Sequence, residues 1–166
     1  MLIIEDGAGV PNAESYASVD EVVVYAGKFG VTLPVEEVAQ EALLRRAGLA
    51  MEGMSWKGRK TSGDQALAWP RRGVEVDREI KPDNLIPARI KCGQMALAAE
   101  IHADDIDPIE QRKGAVTKEK VDGAVEREYA VIPHLSPSLR AAAPIRPSVM
   151  QFAEFLLKRG LLAVRT

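Results

Sequence analysis

Apolar residues recur at Val35, Val38, Ala39, Ala42, Leu43, Ala47, Ala50, Met51 and Met54, one continuous stripe at helical period. Glu36, Glu37, Arg45 and Arg46 fall mostly off it. The pattern predicts a long helix opened by Pro34, whose missing N–H is not needed in a first turn. Gly48 inside it weakens the helix slightly or permits a close neighbour. Before it, Ser18-Val19-Asp20-Glu21 reads as a capping box for a helix from about Val19 to Phe29, stopped by Gly30. Leu2 to Ile4 suits a short strand, and the glycines and proline of residues 7–12 predict a loop. After an irregular stretch with a short extended piece at Val74–Val76, Pro87 opens a helix to about Ala103. That helix carries Ile90, Leu97 and Ile101 on one face and small residues (Gly93, Ala96, Ala98, Ala99) that admit close packing.

Two strand-like runs, Val116–Val121 and Val125–Ala130, flank Asp122-Gly123, a strong tight-turn signal. Val116, Lys118 and Lys120 alternate with Thr117, Glu119 and Val121, so neither face is cleanly apolar and the ribbon reads as a solvated arm. Prolines 133, 137, 144 and 147 predict an extended crossing segment. Val149, Phe152, Ala153, Leu156 and Leu157 then form a last amphipathic helix, with Lys158 and Arg159 at its negative end and Gly160 as its stop. The expected fold is mainly α, a small bundle of about four helices with a protruding hairpin and an extended C-terminal segment. One domain is expected over residues 1–166, with a helical core at 18–105, the hairpin arm at 115–130, and the extended segment and terminal helix at 131–166.

Both tryptophans lie in one turn-rich segment, Trp56-Lys57-Gly58-Arg59 and Gln65-Ala66-Leu67-Ala68-Trp69-Pro70-Arg71. A loop with two indoles has to be tied down, either as a core flap or as an anchor at a subunit contact. Trp56, Trp69, Pro70, Arg71, Asp122, Gly123, Phe152 and Phe155 are the candidate interface or anchor residues. Lys57, Arg59, Lys118 and Lys120 are the candidate nucleic-acid contacts, because cations interleaved with aromatics are the ingredients of a single-strand stacking platform.

Composition narrows the function. A net charge of −2 over 166 residues leaves no bulk attraction to nucleic acid, so any DNA contact must be local. The single Cys92 excludes an internal disulfide framework and suits synthesis in a reducing cytoplasm. The start of the chain has no signal-peptide pattern, and no run is long and apolar enough to cross a bilayer. Catalytic constellations are thin: His102 and His134 fall in different elements, and Gly7-Ala8-Gly9 lacks the third glycine and following helix of a dinucleotide site. Asp104, Asp105 and Asp107 beside His102 lack the calcium-loop glycine and glutamate, and so read as a solvated helix end. Cys92 and His102 lie about 15 Å apart along one helix, too far to act as nucleophile and base. No enzyme activity, cofactor or metal is expected.

Taken together, several segments resemble one tailed-phage family. They are Asn12, Ser15, Tyr16 and Ala17; Ala42-Leu43-Leu44-Arg45; Trp56-x-Gly58; Gln65-Ala66-Leu67-x-Trp69-Pro70-Arg71; Ile86-Pro87; and Val116-x-Lys118-Glu119 leading into Asp122-Gly123 and Tyr129. The family is often labelled DnaT-like single-stranded-DNA-binding, and is also similar to head–tail connector (neck adaptor) proteins of long-tailed phages. The resemblance spans Ile4 to Phe155. The connector likeness implies a ring of about twelve identical subunits beneath the portal. It also implies a tail or head-completion protein as partner, double-stranded DNA passing through the channel without specific binding, and a place in the virion neck. The DNA-binding label implies a role in phage replication, with Trp56, Trp69 and nearby arginines on the strand. The slightly acidic charge balance favours the connector expectation.

Overall fold

Ser18 starts helix α1 (Val19–Lys28) with the predicted capping box. Its Oγ accepts from the Glu21 N–H at 3.2 Å, and Glu21 Oε2 accepts from the Ser18 N–H at 2.8 Å. Each bond satisfies a first-turn donor that has no partner within the helix. The structure is a computed structural model and describes residues 1–106, 116–121, 125–129 and 146–157. Among the described residues, helices α1, α2 (Glu37–Glu52), α3 (Ala88–Ile106) and α4 (Pro147–Phe152) dominate. The strands pair as antiparallel ladders: β1 (Arg59–Lys60) with β2 (Arg71–Arg72), β3 (Glu75–Val76) with β4 (Glu79–Ile80), and β5 (Val116–Val121) with β6 (Val125–Tyr129). The chain is thus mainly α with a hairpin, as its patterning predicts.

Contacts divide the chain into two compact units, Met1–His102 with Arg146–Thr166, and Ala103–Ile145. In the first, one core gathers Val22, Leu43, Leu44, Ala47, Met95 and Ala98 from α1, α2 and α3, with Ala17 from the turn before α1. Gln94 stitches this core together although it is fully buried. Its Nε2 donates to the Leu44 carbonyl at 3.0 Å, and its Oε1 accepts from the Tyr16 N–H at 2.8 Å. Gly48 sits where an added Cβ would stand 3.1 Å from the Glu14 carbonyl, which is the close approach that the sequence anticipates. In the second unit the β5–β6 register pairs Lys118 with Glu128, Glu119 with Arg127 and Lys120 with Glu126.

Several boundaries differ from expectation. Helix α2 starts at Glu37, not Pro34, whose carbonyl instead accepts from Gln40 Nε2 at 2.6 Å. The predicted apolar stripe is split: Leu43, Ala47 and Met51 are buried, joined by Leu44 from outside it, but Val35, Val38, Ala42 and Ala50 are exposed, as is Leu49. Gln40 and Glu41 are buried in their place, because Gln40 caps a carbonyl and Glu41 pairs with Arg45 at 3.1 Å. Ile4 forms an isolated bridge to Ser15 rather than a strand. Helix α4 ends at Phe152, and the following turn seats Phe155, so Val149 and Leu157 stay exposed. The expected turn at Asp122-Gly123 and the crossing segment up to residue 145 lie outside the described residues.

Candidate functional site

The tryptophan segment is anchored from both sides of the sequence. After α2, the Trp56 indole N–H donates back to the Met51 carbonyl at 2.8 Å, which satisfies its polar edge inside the core. Gly58 follows with φ +66°, and an added Cβ there would strike the Arg72 carbonyl, so the β1–β2 crossing depends on glycine. Gln65, buried, closes the intervening loop: its Oε1 accepts from the Ser62 N–H at 2.9 Å, and its Nε2 donates to the Leu67 and Pro70 carbonyls at 2.8 and 3.0 Å. Trp69 and Pro70 are joined by a cis peptide. The Trp69 N–H donates to the Tyr16 hydroxyl at 2.9 Å. Burial pushes the Tyr16 phenol well above its ordinary range, so it stays neutral.

The C-terminal segment completes the cluster. Phe152 stands edge-on to Trp56 with centroids 5.2 Å apart, Phe155 edge-on to Trp69 at 5.4 Å, and the two indoles meet edge-on at 6.0 Å. Gly93 of α3 makes room for the Phe152 ring, since any Cβ there would collide with it. The Lys57 N–H donates to the Phe155 carbonyl at 2.8 Å and the Leu157 N–H to the Ser55 carbonyl at 2.9 Å, stitching the segment on as a short antiparallel pairing. Ser148 holds its start, with N–H and Oγ donating to the two carboxylate oxygens of Glu100 at 2.8 and 2.7 Å. Trp56, Trp69, Pro70, Phe152 and Phe155 therefore come together as one buried aromatic core. Trp56 is only 4% exposed and Trp69 only 1%. The flap reading fits this burial, and neither indole presents a free face on which a base can stack.

The cations around the rings are mostly committed to the fold. Arg71 donates to three backbone carbonyls, from Nε to Lys57 at 2.8 Å and from its two terminal nitrogens to Ala68 at 3.1 Å and Gly58 at 2.8 Å. Burial lowers its pKa, against the opposing pull of nearby Glu52, yet an arginine remains charged throughout the physiological range. Arg72 donates to the Thr61 carbonyl at 2.5 Å, and Lys60 pairs with Glu52 at 3.0 Å. These bonds explain how β1 and β2 set Arg59 opposite Arg72 and Lys60 opposite Arg71 without unrelieved like-charge repulsion. Lys57 Nζ reaches the Glu75 carbonyl at 3.1 Å from a half-buried position, while Arg59 is exposed.

The family model described as "Putative DnaT-like ssDNA binding protein" matches residues 1–165. The chain belongs to this family. No curated relative and no solved structure matches it. The match covers the aromatic cluster, all four described helices and the β5–β6 ladder alike. Lys118 and Lys120, the other candidate contacts, lie on β5 in the second unit, each at a register position opposite a glutamate of β6. Asp122 and Gly123 lie outside the described residues.

Three polar residues organise the site through bonds that the sequence does not state. Gln94 and Gln65 are polar side chains whose partners are backbone groups far along the chain or across a loop. The Glu5 carboxylate is buried and accepts from the N–H groups of Gly7, Gly9 and Val10 at 2.9, 2.9 and 2.7 Å, shaping the loop that the glycines predicted. Among the described residues no three histidine, cysteine or carboxylate side chains gather to hold a metal ion.

Proposed function

We propose that the chain binds single-stranded DNA, and that it does so through backbone phosphates at the rim of the tryptophan loop rather than by stacking on the indoles. The observation that carries the reading is the family model spanning residues 1–165. The geometry supports the mode: the rings are covered by Phe152 and Phe155, and Arg71 and Arg72 are bonded to carbonyls. Arg59 and, at the edge, Lys57 remain as side chains that can meet a phosphate. With so few contacts, affinity is modest and falls only gently with salt. Two phosphate contacts give a log–log slope of about −1.4 for a single strand. Anisotropy of a labelled oligothymidine titrated across salt tests this. A Lys57→Ala/Arg59→Ala variant is expected to flatten the slope toward zero. Absence of binding by the unaltered protein at low salt overturns the proposal.

A second reading, the head–tail connector, is favoured by the exposure of Val35, Val38 and Leu49 on the first unit, an apolar surface suited to protein rather than phosphate. The net charge of −2 also suits a conduit through which DNA passes without sticking. In this reading the partners are the portal ring, a tail or head-completion protein and neighbouring copies, and the protein resides in the virion neck. Copy-number mass spectrometry of purified virions decides it. Parity with the portal subunit supports the connector, and absence from particles removes it.

A further inference from the structure

We propose that a cavity beside Lys57 receives one unpaired base of the bound strand, and that it prefers bases carrying an exocyclic amino group. The inference rests on the single-strand reading and supplies what that reading lacks. Phosphate contacts position a strand but carry no information about its bases, and two of them do not tell a single strand from a duplex. The covered indoles do not supply the difference. The cavity has a volume of about 420 Å³, and its walls include Lys57, Gly73, Glu75, Asp77, Arg78 and Leu157. That size falls within the roughly 300–1,000 Å³ of small-molecule sites. Trp56 pairs with Leu156 and turns into the core, so by strand alternation their neighbours Lys57 and Leu157 turn to the outer side. Leu157 is 56% exposed and gives the cavity an apolar surface. At Gly73 an added Cβ would meet no atom within 4 Å, so that wall is bare backbone. Lys57 itself lines the cavity, so a strand held there by its phosphate brings a base to the opening.

Charge and backbone conformation select the occupant. Lys57 and Arg78 are balanced by Glu75 and Asp77, so the cavity as a whole exerts no net pull on a phosphate. A neutral base instead finds donors and acceptors around an apolar surface. Carboxylates accept hydrogen bonds and do not donate them, so Asp77 suits the amino groups of adenine, cytosine and guanine, and thymine has none. Asp77 and Arg78 form the two-residue turn between β3 and β4, with φ +52° and +67°. Such a mirror-image turn favours asparagine followed by glycine, and an arginine in the second place is strained. What arginine offers over glycine is a planar cation at the cavity wall that can stack on a base. Among the described residues neither side chain of this turn is bonded to another group, whereas Arg71 and Arg72 are committed to carbonyls.

Anisotropy of labelled oligodeoxycytidine, oligodeoxyadenosine and oligothymidine of one length, at one low salt concentration, tests the proposal. The unaltered chain is expected to bind the first two about tenfold more tightly than oligothymidine, the worth of one hydrogen bond to a charged group. Annealing the complement to oligodeoxycytidine is expected to abolish its advantage. Asp77→Asn keeps the left-handed turn, which asparagine suits, and offers a donor as well as an acceptor. It is expected to bring the three affinities within about twofold of one another. Arg78→Gly supplies the residue the turn favours, so the urea midpoint is expected to hold or rise. The same variant is expected to weaken oligodeoxycytidine and oligodeoxyadenosine binding at least about threefold. Equal affinities for the three oligomers in the unaltered chain overturn the inference and leave the phosphate reading standing. A preference that survives both Asp77→Asn and Arg78→Gly overturns it equally. Failure of every oligomer to bind overturns the single-strand reading itself, and the inference with it.

Discussion

Replacing Arg71 by lysine separates charge from architecture at the centre of the tryptophan segment. The substitution keeps one positive charge but exchanges a planar fork for a single ammonium. Arg71 holds the Lys57, Gly58 and Ala68 carbonyls at 2.8, 2.8 and 3.1 Å, and a lysine reaches one of these at a time. Hydrogen bonds to charged groups contribute about 1.5–3 kcal/mol each. Two are lost, but the site is half-buried, and the carbonyls nearest the surface recover part of the loss from water. The net destabilisation is therefore about 2–4 kcal/mol. Against a total stability of about 5–15 kcal/mol the variant still folds. Its urea midpoint drops by about 1–2 M, followed by the fluorescence of Trp56 and Trp69, which sit beside the substitution. Oligonucleotide affinity is expected to change less than about twofold, because the guanidinium faces carbonyls rather than solvent. An unchanged urea midpoint combined with a tenfold loss of DNA affinity would refute the reasoning and return Arg71 to the phosphate contacts.

Phe152→Ala removes a ring 1% exposed and edge-on to Trp56, and is expected to cost about 3–5 kcal/mol in chemical denaturation. Gly93→Ala approaches the same contact from α3 by forcing that ring outward, and should shift the tryptophan emission toward that of solvated indole without any change of charge. On the acid side, the Arg45 guanidinium bonded to Glu14 at 2.9 Å holds that carboxyl below its ordinary value of 4.5. A depressed carboxylate adds stability that is present above its unfolded pKa and lost as pH falls through the folded one. The urea midpoint should therefore be flat toward neutrality and decline below about pH 4.5, and Arg45→Met should make that decline shallower.

Much of this molecule was legible locally. The capping box at Ser18 and Glu21, the glycine loop after Ile4 and the helix after Pro87 depend on backbone groups a few residues away, so short-range spacing states them. The same holds for the β5–β6 pairing around an Asp-Gly pair. The tryptophan segment was legible as an anchor point, with Trp56, Trp69, Pro70, Arg71, Phe152 and Phe155 as candidates, although nothing in the spacing joined the two phenylalanines to the indoles. The direction in which they face was not. Whether an indole is covered depends on which distant segment reaches it. Here that segment is Phe152–Phe155, seated at a glycine of α3.

Periodicity alone also failed to assign the faces of α2. A helix whose apolar residues spread over a wide arc has more than one candidate inside, and hydrophobicity alone does not say which part of the arc is buried. In the folded chain Gln94 of α3 donates to the Leu44 carbonyl and the Leu44 and Ala47 face turns inward, which leaves Val38 and Leu49 outside. Sequence determines the elements because their hydrogen bonds close within a few residues. Only the tertiary structure decides which surfaces remain for a partner, because burial is a property of the whole packed chain.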